Sequence, residues 1–505
     1  MVTNMIGELV LISAVVLLLF SFYKKMTVND KYFERQNIKY LKPKFVVGNT
    51  GAMYFNKIDP VEIGLRFYNA FPDEPVFGIF DFQVPYYVVR LPEVIKKIGV
   101  KDFDYFQDHR EFTDANTDKM WGNTIIMMRG EKWRQMRATL SPAFTGSKMR
   151  QMFELVSECA DDIVQYFSKK SKNNEDINVE MKDLFTRYTN DVIATCAFGL
   201  KINSFEDPEN TALNIEFLDA SFATFFRNLI LDTMEVRKNQ NIYRPDMISL
   251  LMQARDGKLT HSDEKHALSK ESFATVDESD IDKAVVNRTW NDDEIVAQCF
   301  GFFFAGFETG STLLTFSAYE LVVNPEVQQK LYEEIAKVNE QLGGQRIDYD
   351  TLQKMKYLDQ VLCESLRKWP PIVQTDRNCV KEHVFDCGNG IKINAEKGAL
   401  FFFPIIGLHR DPKYFPDPDR FDPERFSDEN KISIVPGTYM PFGIGPRNCI
   451  GSRFALMEIK AILYYLLLNF SFEACEKTQI PVKLQKIPFS LKPENGMHVK
   501  LRKRQ

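Results

Sequence analysis

Two stretches of this chain break the usual mixing of apolar and polar positions. From Met5 to Tyr23 the residues are apolar or small except for Glu8, and Lys24 and Lys25 follow at once. That run approaches the roughly 20 residues a helix needs to cross a bilayer, so residues 1–25 are expected to form an N-terminal membrane anchor. A buried helix or a cleaved signal are the alternatives, but neither a positive leading segment nor a small-residue cleavage site is visible. Lys24, Lys25, Lys31 and Arg35 all lie on the C-terminal side, which by the positive-inside rule leaves residues 26–505 in the cytosol. The second stretch opens at Asn291, a helix-capping residue followed three positions later by Glu294, and runs to about Val323, where Asn324 and Pro325 stop it. Between Cys299 and Phe316 it is apolar nearly all round, the pattern of a helix that crosses a core.

The rest reads mainly as helical periodicity. Short β-like runs such as Tyr86 to Arg90 follow the breaks at Pro43 and Gly48, and a helical run extends from Ser452 to Leu468. The class is mainly α with small β-sheets (α+β). A polar, charge-mixed stretch between Arg255 and Arg288 lacks periodicity and is expected to be a surface connection. No internal repeat is visible.

Composition changes this picture in three ways. With 44% hydrophobic and 26% charged residues the chain should fold, and its 42 Phe suit both a large core and an apolar pocket. A net charge of −5 argues against a nucleic-acid partner, which phosphate binding would favour only with a basic excess. Cys159, Cys196, Cys299, Cys363, Cys379, Cys387, Cys449 and Cys475 show no CxxC pair and no regular spacing. Neither a zinc site nor a disulfide framework is suggested, and the thiols read as reduced.

The densest chemistry lies in Pro441-Phe442-Gly443-Ile444-Gly445-Pro446-Arg447-Asn448-Cys449-Ile450-Gly451, just ahead of the 452–468 helix. Glycines and prolines make a rigid bend, while the helix dipole and nearby N–H groups favour a thiolate at Cys449. Gly443 and Gly445 let backbone approach the sulfur, and Arg447 could pair with a carboxylate beside it. A buried structural cysteine in a turn is the plain alternative. The five fixed positions of FxxGxRxCxG would arise by chance in roughly one chain in ten thousand of this length, which favours the metal-ligand reading.

This segment resembles the cysteine-ligand loop of the cytochrome P450 family of haem-thiolate monooxygenases. The resemblance covers nearly the whole chain, up to the hairpin-like end from Phe489 to Leu501, and is greatest to insect microsomal, xenobiotic-metabolising members in Pro441–Lys460 and Phe302–Thr312. It implies the cytochrome P450 fold, haem b with Cys449 on iron, and Phe442 beside it. Ala305-Gly306-Phe307-Glu308-Thr309 resembles the family's oxygen-binding turn. Small residues at Ala305 and Gly306 would leave room for dioxygen, Thr309 would hydrogen-bond the oxygen being activated, and Glu308 would deliver protons through water. Alternatively Thr309 bonds back to the Ala305 carbonyl and Glu308 pairs with a cation, although a carboxylate inside an apolar helix is costly without a purpose. Gly310 stands where many relatives carry Ser or Thr, leaving the water network open.

Glu364-Ser365-Leu366-Arg367 matches the family's ExxR, and Arg425 the arginine that completes its ion-pair cluster, a scaffold role. Trp133 and Arg137 match its WxxxR helix at i,i+4. With Arg377 and Arg447 they are expected at the haem propionates. The pocket is expected from Phe103–Trp121, Phe300–Phe304, Pro371–Gln374 and Ile487–Phe489, an apolar set suited to lipophilic molecules. Between Phe205 and Arg237 the chain looks short for a pocket roof. No GxGxxG follows a strand, so the resemblance implies electrons from NADPH through a separate flavoprotein reductase, with cytochrome b5 as a further candidate donor. The implied location is the endoplasmic reticulum membrane, with Lys132, Arg134, Lys148 and Arg150 as a docking patch. Two other readings are a haem-thiolate isomerase or dehydratase of lipid peroxides, against which the Glu308-Thr309 pair argues, and an inactive haem-binding relative.

Overall fold

The computed structural model describes residues 2–171, 175–206, 220–244, 246–256, 272–276, 278–284, 288–488 and 490–504. Its longer helices are α1 Val2–Thr27, α2 Pro60–Tyr68, α3 Gly130–Leu140, α4 Gly146–Lys170, α5 Met181–Phe198, α6 Ala220–Gln240, α7 Met247–Arg255, α8 Asp292–Val323, α9 Pro325–Leu342, α10 Lys356–Lys368 and α11 Ser452–Asn469. The strands are β1 Val76–Asp81, β2 Val84–Val89, β3 Ile177–Glu180, β4 Thr375–Asn378, β5 His383–Asp386, β6 Lys392–Ala395, β7 Leu400–Phe403, β8 Phe470–Glu473 and β9 His498–Lys503. The mainly helical class with small sheets is as the sequence leads one to expect. Two compact units emerge: residues 1–107, 373–407 and 486–490 form the first, and the remainder form the second.

The first unit holds the sheet β1-β2-β7-β4, in which only the β2–β7 pair is parallel, and the hairpin β5-β6. Asp59 caps α2, whose Ile63 and Phe67 bury against Phe77, Ile79, Val88 and Phe402 of the sheet. α1 is the one described helix that is long and apolar enough to span a bilayer, with Met5–Thr27 exposed along its length and ending in Lys24 and Lys25.

The second unit is built around α8. Asn291 and Glu294 form the expected reciprocal cap, and Asn324 ends the helix. α5, α6, α10 and α11 pack against it, and β3-β9-β8 makes a small antiparallel sheet. Two of the polar residues buried along α8 are satisfied locally or across the core: Thr315 donates to the Ser311 carbonyl at 2.6 Å, and Glu320 accepts the Trp369 indole N–H at 2.6 Å. Close crossing depends on glycine. A Cβ at Gly310 would lie 2.7 Å from Glu458 Oε1 of α11, and one at Gly306 would lie 2.7 Å from Ile193 Cδ1 of α5.

Three expectations need comment. The stretch 255–288 is not simply a surface connection. Its described parts turn inward, with Ser272, Ala274 and Asp282 all buried, because Asp282 answers a buried arginine. Of the short segment between Phe205 and Arg237, residues 207–219 lie outside the described residues and 220–237 belong to α6, and Phe489 of the expected pocket also lies outside the described residues. The hairpin-like end is reduced to β9 and a single bridge between Leu484 and Pro493.

Candidate active site

The loop before α11 is shaped by two glycines at positive φ, Gly443 at 80° and Gly445 at 72°, a conformation that costs side-chain-bearing residues. Within it the Cys449 N–H donates to the Phe442 carbonyl at 2.8 Å, and the Gly443 N–H to the Met440 carbonyl at 3.0 Å. The loop's start is tied to the ion-pair cluster. Glu364 and Arg367 are both fully buried and form a two-pronged pair at 2.7 and 2.8 Å, with the Arg425 Nε 3.5 Å from Glu364. Arg367 also donates to the His409 carbonyl, and the His409 Nε2 accepts the Met440 N–H at 3.0 Å. Burial lowers the His409 pKa to about 3, so the ring is neutral and can serve as that acceptor. The scaffold role expected for Glu364, Arg367 and Arg425 is thus realised by a relay through His409, a residue without a sequence signature.

The loop's far side is held by α3. Arg137 donates from Nη1 to the Asn448 carbonyl and from Nη2 to Asn448 Oδ1, both at 2.7 Å, and from Nε to Asp282 at 2.6 Å. Burial alone would raise the Asp282 pKa. The Arg137 charge and hydrogen bonds from Ser141 and Arg137 outweigh it and hold the carboxyl below its ordinary value. Each Nη of Arg137 keeps a second N–H for another acceptor. Arg447 lies over the buried Trp133 ring at 4.2 Å and donates to the Met128 and Ile125 carbonyls at 2.6 and 3.1 Å. Its carboxylate neighbour is Asp108, at 3.4 Å.

Cys449 itself is accessible although it sits deep in the unit, as a thiol facing an internal space would be. The expectation of a ready thiolate needs correction: burial pushes the Cys449 thiol up, and the Gly451 N–H and Arg137 only partly offset it. A thiolate there calls for a metal ion as its partner.

α8 faces the same region. It is buried around Ile295–Gly301 and Gly310–Leu321, yet Phe304 to Thr309 are partly accessible in the middle of the core. This turn lies between two points where α8 is pinned near the cysteine-bearing segment. Phe302 meets Phe144 edge-on at 5.3 Å, with Phe144 in turn 3.7 Å from where a Gly451 Cβ would stand, and Gly310 abuts Glu458. The accessible turn of α8, the accessible thiol and Arg137, whose Nη groups each keep a second N–H, fit a flat metal-bearing cofactor with carboxylate groups.

Within the turn, Thr309 Oγ1 donates to the Ala305 carbonyl at 2.6 Å, and Glu308 Oε2 lies 3.2 Å from the Lys182 ammonium. Lys182 also donates to Ser311 and Thr312 at 2.7 and 3.0 Å, and burial lowers its pKa against the pull of Glu308. The two alternative arrangements weighed for Thr309 and Glu308 are therefore those the structure holds. Gly306 lets α8 approach Ile193, and both it and Ala305 stay partly accessible.

Of the expected pocket, Trp121 meets Phe300 and Phe304 edge-on, each at 4.8 Å. Gln298 fixes this strap by taking the Ile125 N–H at 2.9 Å and donating to the Asn123 carbonyl at 2.6 Å. Ile487 belongs to the first unit. So does Arg377, which lies fully buried in β4 beside Phe403, its pKa pushed down to about 10 by burial. Of the expected docking cations, Lys132 is engaged by Glu294 at 2.9 Å and Arg150 by Asp350 at 2.8 Å.

The sequence reading missed Asp282, His409, Lys182, Gln298 and Glu458. Asp282, His409, Lys182 and Gln298 each have a partner far along the chain and Glu458 is buried without a hydrogen bond to its carboxyl oxygens, so only unusual polarity in an apolar run could have flagged Gln298 or Glu458.

Residues 61–500 match the family model described as Cytochrome P450. The chain is 42% identical to "Probable cytochrome P450 9f2" of Drosophila melanogaster, covering 95% of this chain and 96% of that protein. It is 41% identical to "Cytochrome P450 9e2" of Blattella germanica over 95% of each, and 34% identical to "Cytochrome P450 6k1" of the same species over 94% and 93%.

Proposed function

Because this chain belongs to the cytochrome P450 family, and is therefore a haem-thiolate monooxygenase served by a redox partner, we propose that it oxygenates lipophilic small molecules with electrons from NADPH delivered by the flavoprotein reductase of the endoplasmic reticulum. The observation that carries this reading is the accessible Ala305–Thr309 turn in the middle of a buried helix, pinned on either side near the segment that bears Cys449. Residues 1–25 anchor the chain, and residues 26–505 form the catalytic domain on the cytosolic face.

When bound, haem b supplies the iron at which dioxygen is activated. Cys449 gives that iron its thiolate ligand, and Phe442 backs the loop that carries it. Arg137 and Arg447, with Trp133 beneath Arg447, would hold the cofactor's carboxylates. Glu308 exchanges its Lys182 contact for water and passes protons inward, an act for which its partly accessible carboxylate has room. Thr309, its own proton given to the Ala305 carbonyl, presents oxygen lone pairs that hold a donor water in the open turn. Trp121 and Phe304, backed by the buried Phe300, offer ring edges and faces to an apolar substrate and exclude bulk water.

The test is the difference spectrum of reduced protein with and without carbon monoxide. Wild type should give the red-shifted band of thiolate-bound haem, and Cys449→Ser should lose it while keeping its circular dichroism. A wild type lacking that band removes the reading. Reductase omission should then abolish NADPH-driven turnover.

A further inference from the structure

We propose that the run from Ser272 to Ala284 is a strap across the cysteine-bearing bend, and that Asp282 on it is a positioning residue, holding Arg137 in the one orientation that serves both Cys449 and the cofactor's carboxylates. This rests on the proposed haem site and extends it to a segment that carries no motif.

The described parts of the strap, 272–276 and 278–284, touch in turn the elements that frame the bend. The Phe273 ring lies 5.5 Å from both Phe426 and Tyr439, the latter just before the bend begins at Pro441, and the Phe273 N–H donates to Asp359 of α10 at 3.3 Å. Glu278 accepts from Arg453 Nη1, in the first turn of α11, at 2.9 Å. Asp282 then reaches Arg137 of α3. The two ion pairs differ in setting. Arg453 and Glu278 are 25% and 28% exposed and fasten the strap from outside, whereas Arg137 and Asp282 are 7% and 1% exposed and face inward.

Both carboxyl oxygens of Asp282 are committed. Oδ2 accepts the Ser279 N–H and the Ser279 hydroxyl, each at 2.7 Å, inside a tight turn in which the Asp282 N–H donates back to the Ser279 carbonyl at 3.0 Å. The strap thereby aims its own carboxylate, leaving Oδ1 for the Arg137 Nε and the Ser141 hydroxyl, both at 2.6 Å. A guanidinium is flat, with five N–H groups in fixed directions. With Nε tied to Asp282 and one N–H of each Nη tied to Asn448, the group is locked in its plane, and the two N–H groups left over are the ones it offers to an anion.

The same lock acts on the metal ligand. Arg137 Nη1 holds the carbonyl of Asn448, the residue that leads directly into Cys449, so its placement is passed to the sulfur through a single peptide unit. The charge of Asp282 also offsets part of the positive charge that Arg137 brings to the site. Removing it favours the more electron-rich state of a metal held there.

The holoprotein tests this with Asp282→Asn, Asp282→Glu and Ser279→Ala, and with Glu278→Gln as the fastening control. Haem transfer to excess apomyoglobin and the reduction potential by spectroelectrochemistry are measured for each. Asp282→Asn should release haem about ten- to hundredfold faster and move the potential to a more positive value. Asp282→Glu, which keeps the charge, should return the potential to that of wild type. Ser279→Ala keeps the charge but loses its aim, and should speed haem release with the potential unchanged. Glu278→Gln should alter neither. An Asp282→Asn protein that matches wild type in both readings, or that only loses Tm while its potential stays put, overturns the positioning role. Should that variant fail to hold haem at all, a wild-type release rate in Ser279→Ala overturns the role by itself. A wild type without the thiolate–haem band in carbon monoxide overturns the underlying site instead.

Discussion

Glu458 lies in α11 almost wholly buried, and neither carboxyl oxygen has a hydrogen-bond partner among the described residues. Desolvation raises its pKa well above the ordinary glutamate value. Folding therefore favours the neutral acid, while in the unfolded chain the group ionises near pH 4.3. Above that pH unfolding releases a proton. The stability this group contributes is thus fully present below about pH 4.3 and is lost as pH rises towards the raised folded value. The loss runs at about 1.36 kcal/mol per pH unit between those two values. Glu458→Gln keeps the shape and is neutral at every pH, so its stability relative to the parent should climb at that rate across the window. With about 2.1 cal/mol/K of unfolding entropy per residue over 505 residues, the climb is about 1 °C of Tm per pH unit. Scanning fluorimetry of parent and variant at pH 5, 6 and 7 measures it directly. A Tm difference that stays constant with pH would mean Glu458 ionises in the folded chain, and the reasoning from burial would fail.

Arg137→Met removes the cation 2.6 Å from the buried Asp282 and should cost about 3–5 kcal/mol, read as a fall in Tm that Asp282→Asn in the same chain partly restores. Because Asp282 titrates below its ordinary value, its contribution is present above about pH 3.9 and is lost as pH falls through the folded value, so the penalty should shrink in acid. Gly310→Ala would put a methyl 2.7 Å from Glu458 Oε1 and 3.3 Å from Thr189 Cγ2, and should lower stability by about 1–3 kcal/mol in a denaturant titration. With Lys132 committed to Glu294, reductase docking is better tested at Arg134 and Lys148. Reversing both charges should slow reductase-driven turnover and spare peroxide-driven turnover, and equal loss of the two would count against docking there.

Much of the site was legible because its parts are local. The bend before α11, the cap at Asn291 and the i,i+4 pairing of Trp133 with Arg137 are each written within a few residues, and periodicity alone located α8 and α1. What surrounds them was not. Asp282 sits in a polar stretch with no period, and nothing along the chain says that it closes on Arg137, 145 residues away. His409 carries no motif, yet it joins Glu364 and Arg367 to the cysteine loop. The alternatives for Glu308 and Thr309 could not be separated in sequence, since the choice depended on Lys182, at the head of another helix.

By itself, the sequence determined the long core helix and the helix after Cys449, where an apolar helix precedes the folded chain, which cysteine is poised before a helix start and which family's motifs recur in order. Those features depend on hydrophobic period, turn residues and spacing, all short-range properties of a chain. Tertiary structure decided the protonation of Cys449, Glu458 and His409, the engagement of Arg137 and Lys132 by distant carboxylates, and the opening of Ala305–Thr309 in an otherwise buried helix. Desolvation and charge pairing act through space, and the chain acquires them only when remote segments are brought into contact.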